Sequence, residues 1–383
     1  ASDLALKIKF LEWGEQRDQF YLKVGNLSTM TIGHGLVMRN YANDADFPAI
    51  RRIGVNMGID FTKTGFEVVV NDLAEPEIYG GRFYLRPAAP SFNLAFGIST
   101  VADIDPAGDL PAEQRDLTGN PIFLNGGLDL DLPILETDFL TFVLFGDVAG
   151  LLPYLRQPIT GQAAGFATAA LMGPDGPRNY GFSSGAFGNL LMVDWRLEYR
   201  YFTGAFEPAL YNATYDRLRG QHALRVASYL QDPDAAEFQG TTAGIYGEAG
   251  FSLFEAVHVE AGYMWPWTVT DTGVERGDED FINVKLGIEK GVIPFADVSG
   301  SISYERRMFM PAVLGESVEG YAPTLFDGNT VMKGEIIYPV APTLDLAVLV
   351  TTTTVTNDDG TIVYENGAPK VNPSFSVETR VHF

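Results

Sequence analysis

Phe375-Ser-Val-Glu-Thr-Arg-Val-His-Phe383 is the stretch on which the fold turns. Its odd positions, Phe375, Val377, Thr379, Val381 and Phe383, are apolar or β-branched, and its even positions, Ser376, Glu378, Arg380 and His382, are polar or charged. A period of two belongs to a strand with one apolar and one wet face. A terminal strand with a bare apolar face aggregates in water, unless that face meets lipid and the edge is closed into a barrel.

The same split recurs upstream. Val193, Trp195, Leu197, Tyr199 and Tyr201 oppose Asp194, Arg196, Glu198 and Arg200; Val257, Val259, Ala261, Tyr263 and Trp265 oppose His258 and Glu260; Val298, Ile302 and Tyr304 oppose Ser299, Ser301, Ser303 and Glu305. From residue 241 onward the candidate strands come in pairs, 241–254 with 257–267, 280–290 with 295–306 and 329–338 with 344–355, before a last strand at 373–383. Turns within pairs are short, whereas the segments around 268–279, 307–328 and 356–372 are long and polar. Membrane barrels sort their connections in this way, short at one end and long at the other, and a soluble sandwich does not.

In the first half, 4–13 with 20–24, 50–61 with 66–70, 82–86 with 92–101, and 124–132 read as strands. The segment 139–155 is apolar on both faces, a return strand is expected near 206–216, and 102–122, 156–187 and 218–239 read as loops. The tally reaches about 17 strands, while single-chain bacterial barrels have an even number. The expectation is therefore an all-β fold: one domain over 1–383, a transmembrane antiparallel up-and-down β-barrel of 16 strands, with 14 or 18 as alternatives. One strand would be hidden in 26–49, and one loop would fold inward. The first hairpin has awkward parity, which leaves two readings: it sits within the lumen, or an upstream segment is missing.

Composition narrows the classes. With 26 Lys+Arg against 49 Asp+Glu and a formal charge of -23, the chain lacks the basic patches that nucleic-acid binding needs. No run reaches the roughly 18 apolar residues of a transmembrane helix, but barrel strands need only about 9–11 alternating residues. The absence of cysteine suits an oxidising compartment and removes thiolate metal sites. Aromatic residues, 12% of the chain, suit interfacial girdles. Ala1-Ser2-Asp3 carries no basic and apolar leader, so any signal peptide is expected to have been removed.

The terminal segment, together with the short-turn and long-loop rhythm, resembles the porin-like outer-membrane β-barrels of Gram-negative bacteria, whose last strand ends in Phe after alternating apolar residues. The resemblance implies a bacterial outer-membrane location, lipid as a neighbour, and Phe375, Val377, Val381 and Phe383 as the signal read by the barrel assembly machinery. Oligomeric state and protein partners stay open.

Candidate sites follow from the parity. Arg82, Arg86, Asp194, Arg196, Glu198, Arg200, Glu260, Lys285, Glu289, Glu305, Lys333, Glu335, Glu378 and Arg380 fall on the wet face and are expected to line the lumen. A Lys or Arg facing lipid at the midplane costs about 2–4 kcal/mol. The inward apolar residues of 139–155 need a cover, expected from Phe166, Leu171 and Met172 on the following loop, which would form a constriction. His34, His222, His258 and His382 have no metal-ligand spacing, and no G-x-S-x-G elbow is present, so no enzyme, catalytic residue, metal or cofactor is expected. Asp103, Asp105 and Asp109, with Asp271, Asp278, Glu279, Asp280, Asp358 and Asp359, read as solvated acidic loops with a weaker alternative of divalent-cation binding. Gly80-Gly81 and Gly126-Gly127 read as bulges or as places where strands bend around the barrel. The functional expectation is passive diffusion of small hydrophilic solutes through a charge-lined lumen. The alternatives are a carrier of hydrophobic compounds and a structural or assembly barrel that binds a protein.

Overall fold

The computed structural model describes residues 10–381 apart from 15, 17, 46–51, 138, 174–175, 239, 255, 271–272, 294–296, 319–321, 358–360 and 366–367. Period-two sequence becomes one antiparallel meander. Its strands are β1 (Phe10–Trp13), β2 (Phe20–Gly25), β3 (Gly54–Asp60), β4 (Thr64–Val70), β5 (Ile78–Leu85), β6 (Ala95–Asp103), β7 (Pro121–Glu136), β8 (Thr141–Leu155) and β9 (Tyr180–Leu190). They continue as β10 (Val193–Thr203), β11 (Thr241–Leu253), β12 (Val257–Thr270), β13 (Phe281–Ile288), β14 (Ser299–Arg307), β15 (Thr330–Ala341), β16 (Leu344–Thr354) and β17 (Val371–Val381). Each strand pairs with the next in sequence. The meander thus has seventeen strands among the described residues, which also hold six shorter strands of two to four residues; the expectation was sixteen. No pairing among them joins β1 to β17.

The outer face carries a continuous apolar belt. Ile98 and Val148 both pair with Leu128, and these three side chains are 57%, 42% and 57% exposed. Across the second half Ile245 faces Trp265, Leu286 faces Ile302, Ile336 faces Val348, and Val348 faces Val377. All of these are exposed except for their neighbours within the belt. An apolar surface spread over a whole sheet is far larger than the few hundred Å² a soluble monomer shows, and lipid is the solvent that fits it. The opposite face is polar and looks onto a lumen.

That lumen is filled. Residues 26–45 and 204–238, expected to hold a hidden strand and a return strand, cross the interior instead. In place of a ladder, isolated bridges, Met30 to Tyr41 and Met38 to Tyr211, and hydrogen bonds such as Ala209 N–H to the Leu36 carbonyl (2.8 Å) join the first segment to itself and to the second. The second contains the longest of the three α-helices among the described residues, α1 (Ala112–Leu117), α2 (Tyr215–Gln231) and α3 (Phe309–Leu314). Leu27, Met30, Ile32 and Met38 pack with Tyr211, Tyr215, Val226 and Tyr229, and with wall residues Val69, Ile78, Val101, Phe123 and Leu151, in one core. Each such side chain gains about 1.5–3 kcal/mol on burial.

The polar anchors of this plug show that the sheet curls around it. Arg217 on α2 donates to the carbonyl of Thr330 on β15 (2.5 Å), to the carbonyl of Thr352 on β16 and to that of Ala45 (2.9 Å). Arg219, two residues on, donates to Asp103 on β6 (2.7 Å), and Tyr211 to Asn125 on β7 (3.2 Å). Strands far apart in the meander therefore face one helix. Burying guanidinium groups is tolerable only with such partners.

Two further expectations change. Residues 180–187 are not loop: they begin β9, whose Gly-rich sequence hides its alternation. Gly80 and Gly127 sit in unshifted ladders, not bulges. A Cβ on Gly80 would lie 2.4 Å from Ile32 Cδ1, so this glycine is the notch into which the plug fits.

Candidate functional site

The wet face of the wall and the plug meet in a charged seal. His34, in the plug, is buried, with Nδ1 2.8 Å from Asp147 on β8 and Nε2 2.5 Å from Asp131 on β7. The rings of Phe145 and Phe187 flank it, 4.7 and 5.8 Å between centroids. Burial alone would lower the pKa of the imidazole; hydrogen bonds to the two carboxylates overcome it and raise it to about 9, so the ring is a cation at neutral pH. Arg196 donates to the His34 carbonyl and to Glu198. Glu198 also receives Arg200 and lies 3.9 Å from Arg39, which in turn donates to Glu248 (2.7 Å). Arg39 and Arg200 both stack on Tyr246, at 4.4 and 4.5 Å. On the other side Arg82 grips Asp129 with two donors, and Arg86 grips Asp60 in the same way.

Space remains beside the plug along β11–β16. Near the long-loop end a cavity of about 60 Å³ is bounded by Arg39, Asn40, Arg200, Phe206 and Arg307. It shares Asn40 with a second, about 260 Å³, faced by Asp44, Glu260, Lys285, Glu305 and Lys333. This shares Glu260, Lys285, Ser301 and Glu335 with a third, about 530 Å³, which reaches the short-turn end at Ser252, His258 and Glu289. Neighbouring cavities thus share lining residues, and the series, called the path below, grows in volume toward the short turns.

The wet-face residues therefore divide between two tasks. Arg82, Arg86, Arg196, Glu198 and Arg200 belong to the seal or to wall ion pairs. Asp194, Glu260, Lys285, Glu289, Glu305, Lys333 and Glu335 border the path. Glu378 and Arg380 form a ladder with Glu335. Lys333 is held by Asp44 of the plug. In the terminal segment, Phe375 and Val377 are 72% and 67% exposed on the belt, Val381 ends β17, and the position of Phe383 lies outside the described residues.

Phe166, Leu171 and Met172 stand elsewhere than at the expected constriction. Phe166 and Met172 are exposed, Phe166 against Tyr154 (5.0 Å between centroids), and Leu171 sits over Gly150. From that loop Ala167 and Ala170 join the core beneath α2, and Ile159 packs against it. The inward Phe145 is covered by His34 and by Arg196, whose guanidinium lies 4.6 Å from the ring. The acidic-loop reading also changes: Asp103 is fully buried under Arg219 and Tyr215, and burial raises Asp109 to about 6. Asp280 is buried and accepts from Tyr263, while Asp271, Asp358 and Asp359 lie outside the described residues. Among the described residues no group of three or more acidic, His or Cys side chains is arranged to hold a metal ion. His222 is buried on α2, and burial lowers it to about 4. Ser252 Oγ lies 2.8 Å from His258 Nδ1 across one hairpin, and Glu289 is 3.7 Å from the other nitrogen. These side chains are half exposed and lack the buried orienting group that activates a nucleophile.

Sequence reading passed over Arg39, Asp129, Asp131, Asp147, Arg217, Arg219 and Glu248. Asp129 and Asp131 on β7 alternate with Leu128, Leu130 and Leu132, whereas Asp147 on β8 lies between Gly146 and Val148 in a segment read as apolar on both faces; the plug residues carried no periodic signal.

No family model matches the chain, and no curated protein matches it. Solved structures similar to it include CdiB from Escherichia coli, with 8% identity, a TM-score of 0.44 and coverage of 96% of this chain and 63% of that one. The FrpB iron transporter from Neisseria meningitidis gives 9% identity and a TM-score of 0.37 over 94% of this chain and 55% of that one. A Pseudomonas aeruginosa FadL homologue gives 8% and 0.23 over 94% and 76%. The chain spans less than two thirds of the length of the first two.

Proposed function

We propose that this chain is an outer-membrane barrel that passes small hydrophilic solutes along one polar path beside a fixed plug. The exposed apolar belt supports a wall set in lipid, and no described helix is long and apolar enough to cross a membrane. The observation that carries the reading is the path itself. Glu260, Lys285, Glu305 and Lys333 face it, and charged side chains of both signs are kept where water and ions can meet them. A freely open pore of this strand number would be wide enough for an aqueous channel; the plug makes this one narrow and selective. No catalytic step is assigned to it.

Swelling of liposomes containing the purified protein, in solutes of graded size, tests the reading. Entry of the smallest sugars and amino acids with a sharp size cut-off is expected. Equal exclusion of every solute would favour a structural barrel instead.

A further inference from the structure

We infer that the path selects cations, so that the charged solutes it passes are small amines and carboxylates are turned away; this rests on the transport reading, whose solute class it names. The first cavity is charge-balanced and does not select. Arg39 is matched there by Glu248, Arg200 by Glu198, Arg225 by Glu279, and Arg307 by Glu207 and Glu279.

The imbalance lies in the second and third cavities. Six acids border them, Asp44, Asp194, Glu260, Glu289, Glu305 and Glu335, against two lysines, Lys285 and Lys333. Pairing removes part of this excess: Asp44 holds Lys333, Glu335 holds Arg380, and Glu289 stands 3.7 Å from His258. Asp194, Glu260, Glu305 and Lys285 are left, each without an ion pair within 4.0 Å among the described residues. Lys285 faces Glu260 in the β12–β13 ladder, close enough to offset one of the three acids. Two negative charges remain, Glu305 on the second cavity and Asp194 on the third.

In cavities this small a passing ion comes within one Debye length, ~8 Å at physiological salt, of these charges. An anion would meet like charge with no spare cation to hold it. A primary ammonium group instead exchanges water for carboxylate oxygens and for the side-chain oxygens of Asn283, Ser301, Ser303 and Thr351, all of which accept hydrogen bonds. The field of the whole chain, with its formal charge of -23, acts in the same direction.

Reversal potentials in planar bilayers test this. Under a potassium chloride gradient the intact protein should be severalfold more permeable to the cation than to the anion, and the preference should persist when ethanolammonium replaces potassium and glycolate replaces chloride. Glu260→Gln combined with Glu305→Gln should lower the permeability ratio severalfold, and Lys285→Gln should raise it. Opposite shifts of this kind follow from charge and not from altered packing. Asp194→Asn, at an exposed side chain on the third cavity, should lower the ratio as well and keeps the test open if the double variant does not assemble. A ratio near or below one in the intact protein, or acid and lysine variants that leave the ratio unchanged or shift it the same way, overturns the inference while the channel stands. No conductance at all removes the transport reading too.

Discussion

His34 holds the plug through two carboxylates on adjacent strands, and its titration gives the seal a pH dependence. The folded-state pKa of about 9 is above the free value of about 6.5, so its contribution is complete below pH ~6.5 and is lost as pH rises through 9. A shift of this size corresponds to on the order of 3 kcal/mol. Current through single channels should therefore become larger or noisier between pH 8 and 10, and His34→Gln should show that behaviour at every pH; a wild type unchanged to pH 10 would remove the latch. Glu198 behaves differently from a solvated lumen charge, because Arg196, Arg200 and Arg39 all depend on it. Glu198→Gln leaves buried cations uncompensated and should cost about 3–5 kcal/mol. Leu197→Arg, one residue away and 56% exposed on the belt, should cost about 2–4 kcal/mol by a separate route, contact with lipid. Urea unfolding in vesicles of two thicknesses distinguishes them, since only the lipid-facing change should respond to the bilayer.

Elements were legible where one face meets lipid and the other water, because that contrast writes a period of two into the sequence. β10, β12 and β17 were read directly from it. β9 was missed since its glycines erase the contrast, and the segment 206–216, expected as a strand, runs through the interior, its Phe206, Tyr211 and Tyr215 having no period of two. α2 was invisible for a physical reason: it is buried nearly all round, with Arg217 and Arg219 inside, so it presents no apolar stripe to recognise. Residues 26–45 have almost no regular structure and owe their shape to the wall, which local sequence cannot show. The docking can be tested because the chain has no cysteine. Ile32→Cys with Gly80→Cys removes the side chain that a Cβ at 80 would strike, and the pair should form a disulfide on mild oxidation. Failure to cross-link in a folded protein would place the plug elsewhere. The terminal strand carries its own prediction: Phe383→Ser should reduce heat-modifiable protein in the outer membrane strongly, and His382→Ala much less.

At the scale of the whole molecule, the proposed transport reading has the wall bounding a pore that the plug narrows to the series of cavities along β11–β16. The parity of the strands gave the wall, the lipid belt and most of the wet-face charges in advance, whereas which of those charges seal and which face the path depended on a plug that only the folded chain reveals. The most direct measurement is single-channel conductance in planar bilayers for the intact protein and for a variant in which residues 29–42 are replaced by a short Gly-Ser linker. Small steps from the intact protein and steps severalfold larger, with weaker selectivity, from the variant are the expected result. Large, equal conductance from both would contradict a lumen closed by this plug.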